Sequence, residues 1–218
     1  MSQFSFWEIL SALLMATRYT LMLSIGALVG GSLLGLVVLM LRTSKVKVLV
    51  RIAIGFTTIF QSTPLLMQMF LAFFGLALFG FDVPAWLAAS TALTLWSAAF
   101  LSDIWRGCVE AIPRGQWEAS SSLAMTYTEQ MMYVVLPQAI RIAIPPTVGF
   151  SVQIVKSTAI ASIVGFAELS KTGATIMNAT FDPLTVYGCT GAIYFCLCWL
   201  LTRTSAVLER KLHVAHRN

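Results

Sequence analysis

Five polar side chains interrupt the apolar parts of this chain: Gln68, Gln153, Lys156, Ser157 and Thr158. Their chemistry is recognition. An ammonium attracts a carboxylate, an amide both donates and accepts, and hydroxyls complete a hydrogen-bonded shell. Polar groups inside an apolar slab are costly and usually functional. Gln153 and Lys156 are three residues apart and share a helix face. Gln61 and Gln68, seven apart, are expected to share another. The sharper expectation is a polar cavity lined by these groups, with Lys156 meeting a carboxylate. The plainer alternative is a structural Lys156 paired with Asp103 or Glu168. Nothing here reads as covalent or hydrolytic chemistry, so no catalytic residue is assigned. There is no phosphate loop of the Gly-x-x-x-x-Gly-Lys-Ser/Thr type. Cys108, Cys189, Cys196 and Cys198 form no Cys-x-x-Cys pair and read as small packing residues, not as a disulfide framework or a metal site. His213 and His216 sit in the polar tail and read as solvated.

A second polar group lies in residues 112–146, IPRGQWEASSSLAMTYTEQMMYVVLPQAIRIAIPP. Pro113 and Gly115 end the segment before it, and a short helix follows over about residues 116–124. Thr126-x-x-Glu129 has the form of a capping box, so a second helix starts there. Pro137 is expected to stop it. On the first helix Trp117, Ser120 or Ser121, and Ala124 take one side, and Glu118, Ser122 and Met125 another. Glu118 offers an exposed carboxylate to a basic partner. An acid and three serines suit anionic lipid poorly, so protein docking is favoured over a helix resting on lipid.

The elements that position these residues are set by composition. Of 218 residues, 58% are apolar and 11% charged, against about 25% charged in a soluble domain. That describes an all-α membrane protein whose surroundings are the lipid bilayer. The net charge of +5 reads as the basic loops of such a protein, not as a nucleic-acid surface. Uncharged runs predict five spans of about 20 residues each, at about 19–41, 54–80, 84–106, 146–167 and 184–203. Pro145-Pro146 is read as the first turn of the fourth, and Pro64 as a break in the second. The 168–182 connection is expected to hold a short helix. Gly26, Gly30, Gly31 and Gly35 permit close helix approach, within the chain or to another subunit. No cleavable signal is evident. Eleven of the 14 Lys and Arg residues fall on one side, Lys45 and Arg217 among them. The amino terminus is therefore expected outside, with the 112–141 insert and the carboxy tail in the cytoplasm.

Gln116-Trp117-Glu118-Ala119-Ser120 followed by Leu136-Pro137-Gln138-Ala139-Ile140-Arg141 resembles the "EAA" coupling loop of ABC importer permeases. Thr63-Pro64-Leu65-Leu66-Met67-Gln68-Met69-Phe70, the Arg106-Gly107 to Gln116 lead-in, and Lys156-Ser157-Thr158-Ala159-Ile160 with Glu168-Leu169 resemble segments of the polar amino acid permease family. Together they run in order over about residues 61–169. The chain departs from that pattern at Ala124, Gln61-Ser62 and Gly149. The resemblance implies a permease subunit of an ATP-driven importer of polar amino acids in a bacterial inner membrane. It also implies the partners: a pair of ATP-binding cassette subunits, a second permease subunit alike or sister, and an external amino-acid-binding protein. ATP and Mg would sit on the ATPase, with no cofactor on this chain. Glu118, Ala119, Trp117, Arg114 and Ala124 would form the ATPase contact. Gln68, Gln153, Lys156, Ser157 and Thr158 would line the path of the cargo. The rival readings are a stand-alone channel or secondary carrier, and a non-transporting scaffold.

Overall fold

A computed structural model describes residues 5–44 and 46–214; Lys45, His216 and Arg217 lie outside them, as does the side chain of His213. Every regular element among the described residues is helical. Helix α1, Phe6–Arg42, is 37 residues long, about 55 Å at 1.5 Å per residue. It begins 13 residues before the expected start at residue 19. Ser5 and Glu8 form a capping box there, and Ile9 and Leu13 pack on Leu169, Ile176 and Val186. Counting from Arg18 misplaced the boundary because an exposed arginine does not end a helix that is capped and packed further upstream.

Helix α2, Lys47–Ser62, and helix α3, Leu65–Leu78, meet at 103°. The segment expected to form the second span is thus divided by a sharp bend. Pro64 removes the N–H that would continue α2, and Thr63 and Pro64 are both extended. The break also separates Gln61 from Gln68, so the shared face expected of an unbroken helix does not form.

Helix α4, Ala85–Glu110, is the most buried of the long helices. Its alanines and serines let α1 approach closely. A Cβ on Gly31 would stand 2.6 Å from the Ser97 Cβ, and one on Gly35 3.2 Å from the Ala98 carbonyl. The glycine pairs of α1 thus serve packing within the chain, except Gly26, which faces open space. Around α4 the core collects Leu23, Ala27, Leu65, Met69, Leu93, Trp96 and Ile154. Trp96, Phe100 and Phe150 stack in its midst, with Trp96 and Phe150 centroids 5.3 Å apart.

Helix α5, Arg114–Ser122, is followed by helix α6, Tyr127–Ser162. The expected stop at Pro137 and the fresh start at Pro146 are both corrected: one helix runs through all three prolines. A π-helical segment, Gln130–Val135, immediately precedes Pro137. Its wider turn moves the preceding carbonyls away from the proline ring. Near Pro145-Pro146 two hydroxyls add bonds to helix carbonyls. Thr147 Oγ1 donates to the Ala143 carbonyl at 2.7 Å, and Ser205 Oγ to the Pro145 carbonyl at 2.9 Å. The segment 168–182 does carry a helix, α7, Leu169–Thr180. Helix α8, Pro183–Val214, completes the chain. Helices α1, α4, α6 and α8 are long and apolar enough to cross a membrane, and by length and composition the bent α2–α3 pair is a fifth candidate span.

Candidate functional sites: a rigid insert and a lysine-bearing groove

The insert is built from the turn outward. Helix α5 ends in a Schellman motif: Met125 N–H donates to the Ser120 carbonyl at 3.3 Å and Ala124 N–H to the Ser121 carbonyl at 2.9 Å. Ala124 takes the left-handed position, with φ of 55°. The conformation that favours glycine is therefore kept with an alanine in it. Thr126 then caps α6 as expected. Its backbone N–H donates to Glu129 Oε2 at 2.7 Å, and Glu129 N–H returns to Thr126 Oγ1 at 3.4 Å. Sequence reasoning missed Gln130. Buried under the turn, its amide donates to Ser121 Oγ at 3.0 Å and to the Met125 carbonyl at 2.9 Å. An apolar cluster of Ile112, Val135 and Ala139, flanked by Trp117 and Met131, seats α5 on α6. Trp117 also stacks on Tyr127, with centroids 6.2 Å apart. Arg114, Glu118, Ala119 and Ala124 are exposed while Trp117 is half-buried. No hydrogen bond or ion pair among the described residues engages the Glu118 carboxylate. The insert is therefore a stiff ledge with an acid on its outer face.

The five polar residues of the spans divide. Gln153 and Lys156 are exposed on one face of α6, where a groove runs along α8. One part, about 420 Å³, is lined by Lys156, Tyr194, Phe195, Cys198 and Trp199. It meets a more polar part of about 390 Å³ that adds Gln153, Ser205 and Glu209. Ser157 and Thr158 turn inward and are buried, Thr158 bonding the Val155 carbonyl at 2.7 Å. Gln68 lies elsewhere. Its amide donates to the Phe60 carbonyl at 3.0 Å and to the Thr63 carbonyl at 3.1 Å. The Phe60 carbonyl is the acceptor that Pro64 leaves without a backbone donor, so Gln68 stitches the broken span.

Neither expected acidic partner reaches Lys156. Asp103 is held by Arg42, by Arg106 at 3.3 Å and by the Gln61 amide at 2.6 Å. This network, partly missed in the sequence, ties together the ends of α1, α2 and α4; only the Asp103–Arg106 spacing announced it. Glu168 is wholly buried. It accepts from Lys171 N–H at 2.9 Å, Tyr194 Oη at 2.8 Å and Thr20 Oγ1 at 3.3 Å. Lys156 enters none of the ion pairs found among the described residues. The groove can therefore present a free ammonium. No group of three or more His, Cys, Asp or Glu side chains suited to a metal occurs among the described residues.

A bent-helix core, a capped ledge and a lysine-bearing groove fit a membrane transport subunit, and a family match gives the class directly. Residues 27–214 match the binding-protein-dependent transport system inner membrane component, and the chain belongs to that family. Among its relatives it is similar to the L-cystine transport system permease protein TcyB of Bacillus subtilis, with 34% identity over 96% of this chain and 89% of that one. It is also similar to the probable amino-acid ABC transporter permease protein YckA of the same organism, with 32% identity over 88% and 85%. A crystal structure of an amino acid ABC transporter with histidines superposes with a TM-score of 0.90 at 32% identity, over 92% of this chain and 94% of that one. The MetNI methionine ABC transporter in an inward-facing form shares the fold, with a TM-score of 0.72 at 20% identity.

Proposed function

We propose that this chain is the permease subunit of an ATP-driven importer of polar amino acids, and that residues 112–141 couple it to a separate ATPase. The observation that carries this is the family match across residues 27–214, joined to an insert whose rigid turn presents Glu118 and Ala119. Two ATPase subunits, binding ATP and Mg, seat on that ledge from the cytoplasm, which places the amino terminus outside and the carboxy terminus inside. A second permease copy or sister completes the path, and an external binding protein delivers the cargo. Gln153 and Lys156 meet the zwitterion in the groove, Lys156 taking its carboxylate. Ser157, Thr158 and Gln68 act from behind, by packing and by holding the broken span.

Reconstitution with the ATPase and the binding protein in vesicles tests this. Uptake of L-histidine, L-arginine, L-glutamine or L-cystine is expected only with ATP inside a hydrolysing complex. Uptake by the permease alone, driven by an ion gradient, would establish a secondary carrier instead.

A further inference from the structure

The groove wall opposite Lys156 is not free to move. Tyr194 lines it on α8, together with Phe195, Cys198 and Trp199. Behind the wall lies Glu168, a carboxylate with no exposed surface that enters no ion pair among the described residues. Three donors from three helices converge on it. Tyr194 Oη donates to Glu168 Oε2 at 2.8 Å and lies 3.0 Å from Ser170 Oγ. Thr20 Oγ1 donates to the same carboxylate oxygen at 3.3 Å and accepts from Leu169 N–H at 3.1 Å. Lys171 N–H occupies the other oxygen at 2.9 Å, which makes Glu168 the N-cap of α7. The positive end of that helix favours the negative charge where it stands.

A bond from a buried carboxylate is among the stronger ones a hydroxyl can make. It is also directional. Tyr194 is therefore pinned through its far end, and its ring is held as one wall of the space that Lys156 enters. Lys156, by contrast, enters no ion pair among the described residues and is set by the width left to it.

We propose that Glu168 and Tyr194 are positioning residues for the Lys156 groove: the buried carboxylate fixes the tyrosine ring, and the ring sets how closely a carboxylate-bearing cargo can approach the lysine. This rests on the reading of the groove as part of the cargo path. It predicts that loss of the pinning bond weakens cargo recognition without stopping the machine, because neither residue touches the insert.

The test uses the full complex with its ATPase and binding protein. Variants Y194F and E168Q are compared with the parent, in a chain where Cys108, Cys189 and Cys196 are serine. Uptake of the best-carried amino acid among L-histidine, L-arginine, L-glutamine and L-cystine is measured, along with the rate at which a maleimide labels Cys198. The expected result is a KM for uptake raised about tenfold, the size of a lost bond to a charged group. The turnover number should stay within about twofold, and Cys198 labelling should quicken by a similar factor as the wall loosens. A KM that stays within twofold overturns the proposal, as does an unchanged labelling rate. K156M separates the two readings. If K156M transports like the parent, the groove is not the path. If K156M is impaired and Y194F is not, the path stands and the positioning role falls. Should either variant fail to assemble, T20V removes the other hydroxyl that bonds the same Glu168 oxygen and is judged by the same two readouts.

Discussion

Ala124 shows how one residue can hold a conformation it does not favour. A left-handed alanine costs about 1–2 kcal/mol, and the Schellman bonds around it hold it there. Replacing it by glycine removes that strain but adds freedom to the unfolded chain worth about 0.4–1 kcal/mol. Ala124→Gly is accordingly expected to stabilise by about 0.5–1 kcal/mol, seen as a higher thermal midpoint of the purified permease with transport unchanged. Gln68 works by the opposite logic. It supplies the donor that Pro64 lacks, so Gln68→Leu leaves the Phe60 carbonyl unmet and should destabilise by about 1–3 kcal/mol. Thermal unfolding would read this directly. A midpoint equal to the parent's would mean that the amide bonds at the break contribute nothing net. The sequence marked both positions as unusual. It could not say that Gln68 faces a freed carbonyl, because that depends on a 103° turn which no local pattern encodes.

At the scale of elements the decisive feature is close packing of α1 on α4. The approach exists because Gly30, Gly31 and Gly35 meet Thr94, Ser97 and Ala98. A methyl at Gly31 would overlap the Ser97 Cβ, an atom fixed to backbone. Gly31→Ala is therefore expected to cost about 1–3 kcal/mol, whereas Gly26→Ala, with nothing nearby, should be neutral or slightly stabilising in its helix. Chemical-unfolding midpoints of the two variants, measured side by side, check this; equal midpoints would contradict the packing account. The same scale holds the largest misreading of the sequence. Pro137 and Pro145-Pro146 were read as boundaries, since proline removes a helix donor. The π segment before Pro137 accommodates that proline, and the helix continues through Pro145-Pro146 as well. One helical rod consequently runs from the insert turn to the Lys156 groove.

That rod matters for the whole molecule. The insert turn and the groove are on one helix, α6, so under the proposed coupling a displacement of α5 by an ATPase would reach the groove along that helix. Reversing the charge on the ledge should break the contact while sparing the fold. Glu118→Lys is expected to abolish co-purification of the ATPase, or to lower substrate-stimulated hydrolysis at least about tenfold, as truncation at the centre of an interface commonly does. The thermal midpoint of the permease alone should stay unchanged. Normal co-purification and normal stimulated hydrolysis would remove Glu118 from the coupling surface.

By itself the sequence determined the class: an apolar, helical membrane protein with about five spans, a capped helical insert and the motifs of an importer permease. Those properties reside in composition, in residues three or four apart and in short ordered motifs, all of which are local. It also marked Thr126-Glu129 as a cap and Asp103 with Arg106 as a pair. Only the tertiary structure decided which polar residues share a site. Gln153 and Lys156 look into a groove, Thr158 is buried, Gln68 mends a break, and Glu168 stands behind Tyr194 from 26 positions away. Each of those assignments depends on which helix lies opposite. That in turn depends on how glycine, serine and alanine faces let the helices close up, a cooperative property of the packed molecule.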